Sequence, residues 1–282
     1  MSAQLLKGAP VAQALDGKTR ERAQALRGRG VVPMLGIVRV GERPDDMAYE
    51  RSVMRRAEKA GIEVRSVVLD ERADQEALLA EIAALNDDAR VHGILLFRPL
   101  PAQLDEKGAC EAISPAKDVD AATPASLTGV FTGTGEGFAP CTAQACIEVL
   151  DHYGIALDGA RVVVVGRSLV IGKPVAMLAL DRNATVSIAH SHTSDLAELT
   201  RGADIVIACV GHARLLDASC FAPGQAVLDV GINFVDGQMV GDVDTESAAR
   251  VAGAITPVPG GVGAVTTSVM LRHVVTAAQR LS

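Results

Sequence analysis

The most regular feature of this chain is the alternation of short apolar runs with longer segments in which apolar residues recur every three or four positions. The short runs predict buried strands, and the longer spacing predicts amphipathic helices. In the first part of the chain we predict strands at 31–40, 63–70 and 91–101, with helices at about 44–59 and 73–86. Strands that alternate with helices of this length indicate βαβ units and a parallel sheet.

The same alternation begins again in the second half of the chain. Residues 123–142 are rich in Gly, Thr and Pro and show little periodicity, and a helix is predicted directly after them. A terminal helix is predicted over TTSVMLRHVVTAAQRL, and the first residues, from MSAQLLKGAP onward, are also predicted to be helical. The predicted strands of this half are 161–167, 185–190, 204–211 and 226–232. For 282 residues we therefore expect an α/β protein of two domains with parallel sheets, the second Rossmann-like.

Composition and charge exclude several classes of function. The net charge is −7 with no run of Lys or Arg, so nucleic acid is not an expected partner. No apolar run reaches about 18 residues and no signal-peptide layout is present, so we expect a cytoplasmic protein without a membrane span. No C-x-x-C pair occurs, which argues against a disulfide framework and a zinc site and fits a reducing compartment. The five cysteines are Cys110, Cys141, Cys146, Cys209 and Cys220.

A glycine-containing turn separates a predicted strand from a predicted helix in VVVVGRSLVIGKPVAMLAL. The turn contains Gly166, Ser168 and Gly172. Glycines at such a junction let the backbone approach a phosphate group, which then binds the amides of the helix N-terminus. The spacing G-x-S-x-x-x-G differs from the dinucleotide fingerprint G-x-G-x-x-G, so a tight turn without a ligand remains an alternative.

The residues after the next predicted strand bear on the choice of cofactor. An NAD-selective site usually has an acidic residue about 20 positions beyond the glycine turn. That region reads SIAHSHT and has no acid, but it offers Ser191 and His192, and Arg167 lies in the turn itself. Because a guanidinium binds phosphate with paired donors, NADP is favoured over NAD.

A second unusual segment is TPVPGGVG at 256–263, which has two prolines and three glycines. Such a composition predicts a stiff loop rather than a helix or an interior strand. The loop could connect domains, or it could lie against a flat ligand, and Thr266 follows it near a helix start.

Several polar residues have an ordinary structural role as their simplest interpretation. Asp118 and Asp120 of KDVD lie in a predicted loop, where aspartates most often cap or turn the chain. His190 and His192 have no third ligand at metal spacing, so no metal site is expected. Cys141 has no obvious base nearby in the sequence and is not expected to be a nucleophile.

Together these segments resemble the bifunctional methylenetetrahydrofolate dehydrogenase/cyclohydrolase family, in the family's order and spacing. The resemblance implies a folate-binding catalytic domain formed by residues 1–138 plus 264–282, and an NADP-binding domain at 139–263. It also implies a cleft between the domains and a homodimer formed through the NADP-binding domains. The matching segments are VHGILL and PLP (91–101), KDVD (117–120), PCT (140–142), GRS-x-x-x-G-x-P (166–174), HS-x-T (190–193), ADIVIA-x-VG (203–211), DVGIN (229–233), GDVD (241–244) and TPVPGGVG (256–263).

The resemblance also implies a reaction and a set of site residues. Members oxidise 5,10-methylenetetrahydrofolate with NADP and then hydrolyse the methenyl product to 10-formyltetrahydrofolate. By motif, Tyr49 would stack on the folate and Asp120 would hydrogen-bond its pterin ring. The loop residues that would border the substrate are Pro259, Gly260 and Gly261. The residues that would border the cofactor are Thr142, Gly166, Arg167, Ser168, Ser191, Gly211, Ile232 and Thr266.

Two positions depart from the family's pattern. The family places a catalytic lysine four residues after the tyrosine, one turn along the same helix face, and this chain has Val53 there. The family's glutamine, which hydrogen-bonds that lysine, is Phe97 here. Replacing both partners with apolar groups avoids leaving one polar group stranded.

The remaining residues of this segment supply no evident substitute for the lysine. Arg51, Arg55 and Arg56 are expected at other helical angles, and an arginine stays protonated and is a poor proton shuttle. The serine that usually precedes the tyrosine by three residues is Asp46 here, and the family's GP-M-T reads GAVT at 263–266.

We therefore expect an NADP-dependent methylenetetrahydrofolate dehydrogenase with weak or absent cyclohydrolase activity. General acid–base assistance is typically worth roughly 10²–10⁴-fold in rate, and this chain lacks the usual group for it. One alternative is a relative that binds NADP and a folate-like ligand without catalysis, or that acts on another substrate. Another alternative is full bifunctionality through a water chain or Asp46.

Overall fold

The structure of the protein is a computed structural model that describes residues 3–282. Within these residues the strands, numbered in chain order, are β1 (Gln4–Leu5), β2 (Met34–Val40), β3 (Glu63–Leu69), β4 (Gly93–Leu96), β5 (Arg161–Val165), β6 (Thr185–Ala189), β7 (Ile205–Ala208), β8 (Ala226–Asp229), β9 (Asn233–Val235), β10 (Gln238–Val240) and β11 (Ala254–Ile255). The helices are α1 (Gly8–Arg27), α2 (Pro44–Ala60), α3 (Gln75–Asp87), α4 (Glu106–Glu111), α5 (Pro124–Thr132), α6 (Cys141–His152), α7 (Gly172–Leu180), α8 (Leu196–Arg201), α9 (Thr245–Ala248) and α10 (Thr266–Leu281).

The chain divides into two compact units, each with its own parallel sheet, and β9 and β10 form a separate antiparallel pair. The six-stranded unit comprises the residues through Gln13 together with Thr142–Thr266. The three-stranded unit comprises Ala14–Cys141 together with Thr267–Ser282. The predicted α/β fold of two parallel-sheet domains is confirmed.

The sheet of the six-stranded unit has the order β1-β11-β8-β7-β5-β6, and its paired strands are parallel. Strands β5, β7 and β8 are almost entirely buried, as expected when a parallel sheet is covered on both faces. β5 pairs on one side with β6, the strand that follows it, and on the other side with β7. The strand order therefore reverses between β5 and β7, which is where open α/β sheets bind ligands beyond their strand ends.

The sheet of the three-stranded unit has the parallel order β3-β2-β4, with β2 in the centre. Leu35, Ile37 and Val38 of β2 are fully buried. The apolar face of α3, which includes Leu78 and Ile82, shares one core cluster with Val38. The helical periodicity of α3 and the apolar runs of β2 and β4 were sufficient to predict these elements, because each buries its own apolar face.

The first described residues, 3–7, differ from their prediction as a helix. They begin with β1, which pairs in parallel with β11 and so belongs to the six-stranded unit. The backbone amides of Gln4 and Leu6 donate to Gly253 O (2.9 Å) and Ile255 O (2.8 Å). A two-residue strand has no periodicity of its own, so only this distant pairing defines it.

The segment 123–142 also contains a helix, α5, that the sequence reasoning did not predict. Thr123 precedes it, and the threonine hydroxyl accepts a hydrogen bond from the amide of Ser126 at 3.1 Å. Pro124 then occupies the first turn, where its missing N–H costs nothing. The helix has nine residues, too few for its apolar spacing to stand out among the Gly and Thr residues around it.

The longest helix, α1, has 20 residues and carries five charged side chains in its second half. The C-terminal helix α10 is apolar along one face and buries Val269, Leu271 and Val274. Across residues 3–282, no helix is both long enough and apolar enough to cross a membrane.

Lys117, the first residue of KDVD, is a buried cation that caps α3. Its ammonium group donates to the carbonyl oxygens of Leu85 (3.0 Å), Asn86 (2.6 Å) and Asp88 (2.8 Å). The last carbonyls of a helix have no partner within the helix, and a positive charge beside them is favourable. Lys117 thus ties the loop that carries Asp118 and Asp120 to the end of α3.

We predict that Lys117→Met lowers the free energy of unfolding by about 2–4 kcal/mol, because it leaves buried carbonyls without their charged donor. Urea-induced unfolding followed by circular dichroism measures the change. Lys107→Met is the matched control, since Lys107 is 84% exposed and reaches Glu111 only weakly at 3.8 Å. The control should change stability by less than about 0.5 kcal/mol. Equal losses in the two variants would contradict the capping role.

Candidate functional site

A tight turn follows β5 at the point where the strand order reverses. Gly166 has φ +133°, and a side chain there would overlap the carbonyl oxygen of Cys209 beyond β7. Gly172, the first residue of α7, would place a side chain against the carbonyl of Gly166. Both positions need glycine because two strand ends and a helix start approach one another closely. The result is a backbone cradle at a helix N-terminus, which fits a dinucleotide phosphate.

Ser168 shapes this cradle with its side chain. Its hydroxyl oxygen accepts hydrogen bonds from the amides of Ile171 (3.1 Å) and Gly172 (3.4 Å). The backbone carbonyl of Ser168 accepts from the amide of Lys173 at 3.0 Å. Ser168 is exposed, so it can face a ligand while it holds the turn closed.

Arg167 and Ser191 lie at the same edge of the six-stranded sheet. Val165 of β5 pairs in register with Ala189 of β6, so Arg167 and Ser191 each follow a paired residue by two positions. Both are exposed. The two residues that were predicted to favour a 2′-phosphate therefore follow the ends of adjacent strands at this edge.

The loop that follows β7 is held by the buried carboxylate of Asp242. The carboxylate accepts from three successive backbone amides, those of Val210 (2.6 Å), Gly211 (3.0 Å) and His212 (2.9 Å). It also accepts from the side-chain amide of Asn233 at 3.0 Å. Asp242 thereby positions Gly211, a predicted cofactor residue. The sequence reasoning used GDVD only as a match and assigned Asp242 no role.

Asp229, at the end of β8, continues the same network. Its carboxylate accepts from the amides of Gly231 (3.1 Å), Asp242 (2.9 Å) and Val243 (3.0 Å). Burial raises the pKa of Asp229 to about 6, although these amides act against the rise. The hydroxyl of Thr256 accepts from the Asp229 amide at 2.8 Å, so the ends of β8 and β11 are tied together.

A pocket of about 260 Å³ lies beside the end of β8. Its walls include Ile232, Met239 and the loop Pro257–Ala264. Within that loop Gly260 has φ +98°, a backbone conformation that favours glycine. The predicted loop residues Pro259, Gly260 and Gly261 therefore share a pocket with Ile232, a predicted cofactor residue.

Two other predicted cofactor residues, Thr142 and Thr266, are the first and the last residue of the longer segment of the six-stranded unit. Thr142 is the second residue of α6, and Thr266 is the first residue of α10. The hydroxyl of Thr266 donates to the carbonyl of Gly263 at 3.1 Å. His190 and His192 form a compact loop through a hydrogen bond from the His192 amide to Nδ1 of His190 (3.2 Å).

In the three-stranded unit, Tyr49 of α2 has an accessible ring and a desolvated hydroxyl. The side chain is 43% exposed, and its ring lies 5.5 Å from that of Phe97, centroid to centroid. Burial, followed by the negative charge of Asp120, raises the pKa of Tyr49 to about 12, while a hydrogen bond with Thr267 opposes the rise. Tyr49 is therefore neutral near pH 7 and suited to stacking rather than to acting as a base.

The position of α2 is set by a buried ion pair next to Tyr49. Nε of Arg39 lies 2.6 Å from Oε2 of Glu50, and the hydroxyl of Ser66 donates to the other Glu50 oxygen. Val53, one turn after Tyr49 on the same face, is fully buried. Within five residues the helix therefore carries the partly exposed Tyr49, the ion-paired Glu50 and the buried Val53.

Arg56 is a neighbour of Tyr49, and the expectation that it lies at another helical angle is wrong. Seven residues make about two turns, which returns Arg56 to within about 20° of the Tyr49 direction. Its guanidinium lies 3.2 Å from Asp16 and donates to the hydroxyl of Ser268. Its positive charge lowers the pKa of Tyr49. The helical spacing i, i+7 from Tyr49 is the signal in the sequence that places Arg56 on this face.

The two aspartates of KDVD have different surroundings. Asp118 is fully buried and accepts from the amides of Ala122 (2.8 Å) and Thr123 (2.8 Å) and from the hydroxyl of Ser126 (2.6 Å). It has the turn-forming role that is usual for loop aspartates. Asp120 instead lies 3.7 Å from Nη2 of Arg98, beside Tyr49.

Cys141 lies against this site with a neutral thiol. Its sulfur donates to Val119 O at 3.3 Å and lies 3.9 Å from Nδ1 of His273, a base that was not evident from the sequence. That nitrogen is already 2.9 Å from Val119 O, and burial lowers the pKa of His273 to about 3. Burial and the charge of Asp120 raise the pKa of Cys141 well above its usual value.

Comparison with known proteins gives one consistent result. Residues 6–120 match the tetrahydrofolate dehydrogenase/cyclohydrolase catalytic domain, and residues 140–282 match the NAD(P)-binding domain of the same family. A relative from Desulfitobacterium hafniense, named bifunctional protein FolD 1, is 47% identical over 275 residues, which are 97% of this chain and 98% of the relative.

Solved structures agree. The bifunctional FolD methylenetetrahydrofolate dehydrogenase/cyclohydrolase from Campylobacter jejuni superposes with a TM-score of 0.94 at 36% identity, covering 99% of both chains. A Trypanosoma brucei methylenetetrahydrofolate dehydrogenase-cyclohydrolase, solved with NADP and an inhibitor, has a TM-score of 0.90 at 36% identity and covers 99% of this chain and 98% of its own. The matched NAD(P)-binding domain and this NADP complex support NADP as the cofactor.

We predict that Gly166→Ala lowers the affinity for NADP at least about tenfold, or about 1.4 kcal/mol, because the added methyl group would overlap the carbonyl oxygen of Cys209 and force the turn to shift. Isothermal titration calorimetry measures the change. Gly154→Ala is the matched control in the same unit, since Gly154 also has a positive φ (+69°) but an added Cβ there meets no atom within 4 Å. If both variants bind NADP as the unchanged protein does, the cradle is not the phosphate site.

Proposed function

The chain belongs to the tetrahydrofolate dehydrogenase/cyclohydrolase family, and on that premise we propose that it oxidises 5,10-methylenetetrahydrofolate to 5,10-methenyltetrahydrofolate with NADP and hydrolyses the methenyl product weakly or not at all. The glycine cradle beyond β5 supports the oxidation. The buried Val53 on the Tyr49 face of α2 is the observation on which the proposed loss of hydrolysis rests.

In the oxidation, bound NADP⁺ supplies the chemistry by accepting a hydride. The residues of the chain bind and orient it. The turn at Gly166 and Ser168 suits the dinucleotide phosphates, and Arg167 with Ser191 suits the 2′-phosphate. The proposed cofactor set is completed by Thr142, Gly211, Ile232 and Thr266.

The substrate would be held by Tyr49 and Asp120, with Pro259, Gly260 and Gly261 bordering it. An accessible aromatic face that stays neutral is suited to stacking on a flat pterin ring. A carboxylate beside it can accept hydrogen bonds from the ring's N–H groups. These two side chains lie close enough for the charge of Asp120 to act on the Tyr49 hydroxyl, which supports a shared ligand.

Hydrolysis of the methenyl bridge needs a proton to be moved, and here the usual groups are replaced. We infer that Val53 stands where the family has its lysine and Phe97 where it has the partner glutamine. Arg56 supplies a positive charge near Tyr49, but a guanidinium stays protonated and does not shuttle protons. The charge of the missing lysine is therefore partly compensated, and its proton transfer is not.

The first test follows both reactions at once. Purified protein with NADP and 5,10-methylenetetrahydrofolate should form NADPH and methenyl product in equal amounts, and the methenyl absorbance should then decay at the rate of an enzyme-free control. Faster, enzyme-dependent decay would mean full bifunctionality by another proton route, such as water or Asp46. Binding of NADP and folate without NADPH formation would support the binding-only alternative.

The second test restores the missing pair. Val53→Lys combined with Phe97→Gln should raise the rate of methenyl hydrolysis by about 10²-fold, because it returns a general acid–base group and its partner. Val53→Met combined with Phe97→Leu is the control, since it changes the same positions without adding a proton carrier. The inference about these two positions fails if the polar pair gains no more activity than the apolar pair.

The homodimer expected from the resemblance and the cytoplasmic location expected from the absence of a membrane span and a signal peptide remain predictions. Sedimentation of the purified protein tests the first of these directly.

A further inference from the structure

Arg98 is a charged residue beside the proposed substrate site that neither the sequence reasoning nor the proposed function uses. It follows Phe97, the residue whose ring lies against Tyr49. We propose that Arg98 is a positioning residue of the dehydrogenase, which keeps the carboxylate of Asp120 in the acceptor form that binds the pterin ring. The proposal rests on the proposed function, in which Asp120 contacts the substrate.

The first argument is the arrangement of the two chain segments. Ile94 of β4 forms a parallel bridge with Asp118, so the strand and the KDVD loop run side by side. Four residues beyond Ile94 and two residues beyond Asp118, Arg98 and Asp120 meet with Nη2 and Oδ2 3.7 Å apart. Their side chains are 32% and 34% exposed, so a ligand can still reach the carboxylate.

The second argument is that the backbone after Arg98 is anchored. Nη1 of Arg43 donates to the carbonyl of Pro99 at 3.1 Å. The amide of Leu100 donates to the carboxylate of Glu106 at 2.9 Å. Arg98 therefore extends from a segment whose backbone is held by two hydrogen bonds just after it.

The third argument is the balance of charges around Asp120. It is faced by Arg98 from the end of β4, Tyr49 from α2, Cys141 from α6 and Asp118 from its own loop. Burial and Asp118 raise the pKa of Asp120, whereas Arg98 and the thiol of Cys141 lower it. Of these groups Arg98 carries the positive charge, so its loss would favour the protonated carboxyl.

The protonation state of Asp120 matters because a pterin ring binds through hydrogen-bond donors. The ring presents neighbouring N–H and amino donors, and an ionised carboxylate accepts from both. A protonated carboxyl carries a donor of its own and loses part of this acceptor capacity. Binding of the folate should therefore weaken as the pH falls through the pKa of Asp120, and Arg98 should determine where that happens.

The experiment measures kcat/KM for 5,10-methylenetetrahydrofolate at saturating NADP, from about pH 5.5 to pH 9, in the full-length protein. Arg98→Met should move the acid limb of the profile up by about one pH unit, since an opposite charge at this distance typically shifts a carboxyl by one unit or more. The KM for NADP should not change. In Arg98→Lys, which keeps the positive charge, the acid limb of the pH profile should lie close to that of the unchanged protein.

Arg43→Met is the matched control, because it releases the same loop at Pro99 without removing the charge that faces Asp120. Its acid limb should coincide with that of the unchanged protein. The proposal is overturned if Arg98→Met leaves the acid limb in place, or if Arg43→Met moves it equally.

A second measurement does not need turnover. The carboxyl ¹³C resonance of Asp120, assigned by its loss in Asp120→Asn, should titrate at higher pH in Arg98→Met than in the unchanged protein. An active enzyme with an unshifted midpoint overturns the role of Arg98. A shifted midpoint in a protein that does not oxidise the folate overturns the proposed function instead, and Arg98 then still controls Asp120.

Discussion

The loops that carry the candidate site depend on one kind of interaction, a buried aspartate whose carboxylate accepts several hydrogen bonds from neighbouring loop residues. Asp118 does this in the three-stranded unit, and Asp229 and Asp242 do it in the six-stranded unit. Backbone amides in such loops have no partner in a sheet ladder, and leaving them buried and unpaired is costly. The carboxylates of these aspartates accept hydrogen bonds from the loop amides and so hold each loop in one conformation.

Asp120 is an aspartate of the same loop that does not hold backbone amides. It is two residues from Asp118, yet it keeps part of its surface accessible and pairs with a guanidinium instead of with backbone amides. Its acceptor capacity is therefore available to a ligand. The three polar residues of KDVD therefore have different roles. Lys117 caps a helix, Asp118 shapes the turn and Asp120 remains partly exposed.

The apolar residues around Tyr49 are part of the packing of α2. Val53 adds an apolar side chain to a helix face that is already buried, and Phe97 contacts the tyrosine ring. Positive charge is still supplied nearby by Arg56 and Arg98, each held by an acidic partner. Fixed guanidinium charges can orient and stabilise ions, but they do not exchange protons, so the site that we propose would bind its ligand without a side chain that shuttles protons.

The sequence by itself determined the elements whose signals are local. Apolar periodicity indicated β2, α2 and α3 close to their observed bounds, and the glycine spacing indicated the turn at Gly166, because each depends on neighbours within a few residues. Only the tertiary structure decided that β1 joins the six-stranded sheet and that Arg98 meets Asp120, since these contacts join segments far apart in the chain. Their partners are chosen by sheet pairing and close packing, which no local pattern encodes.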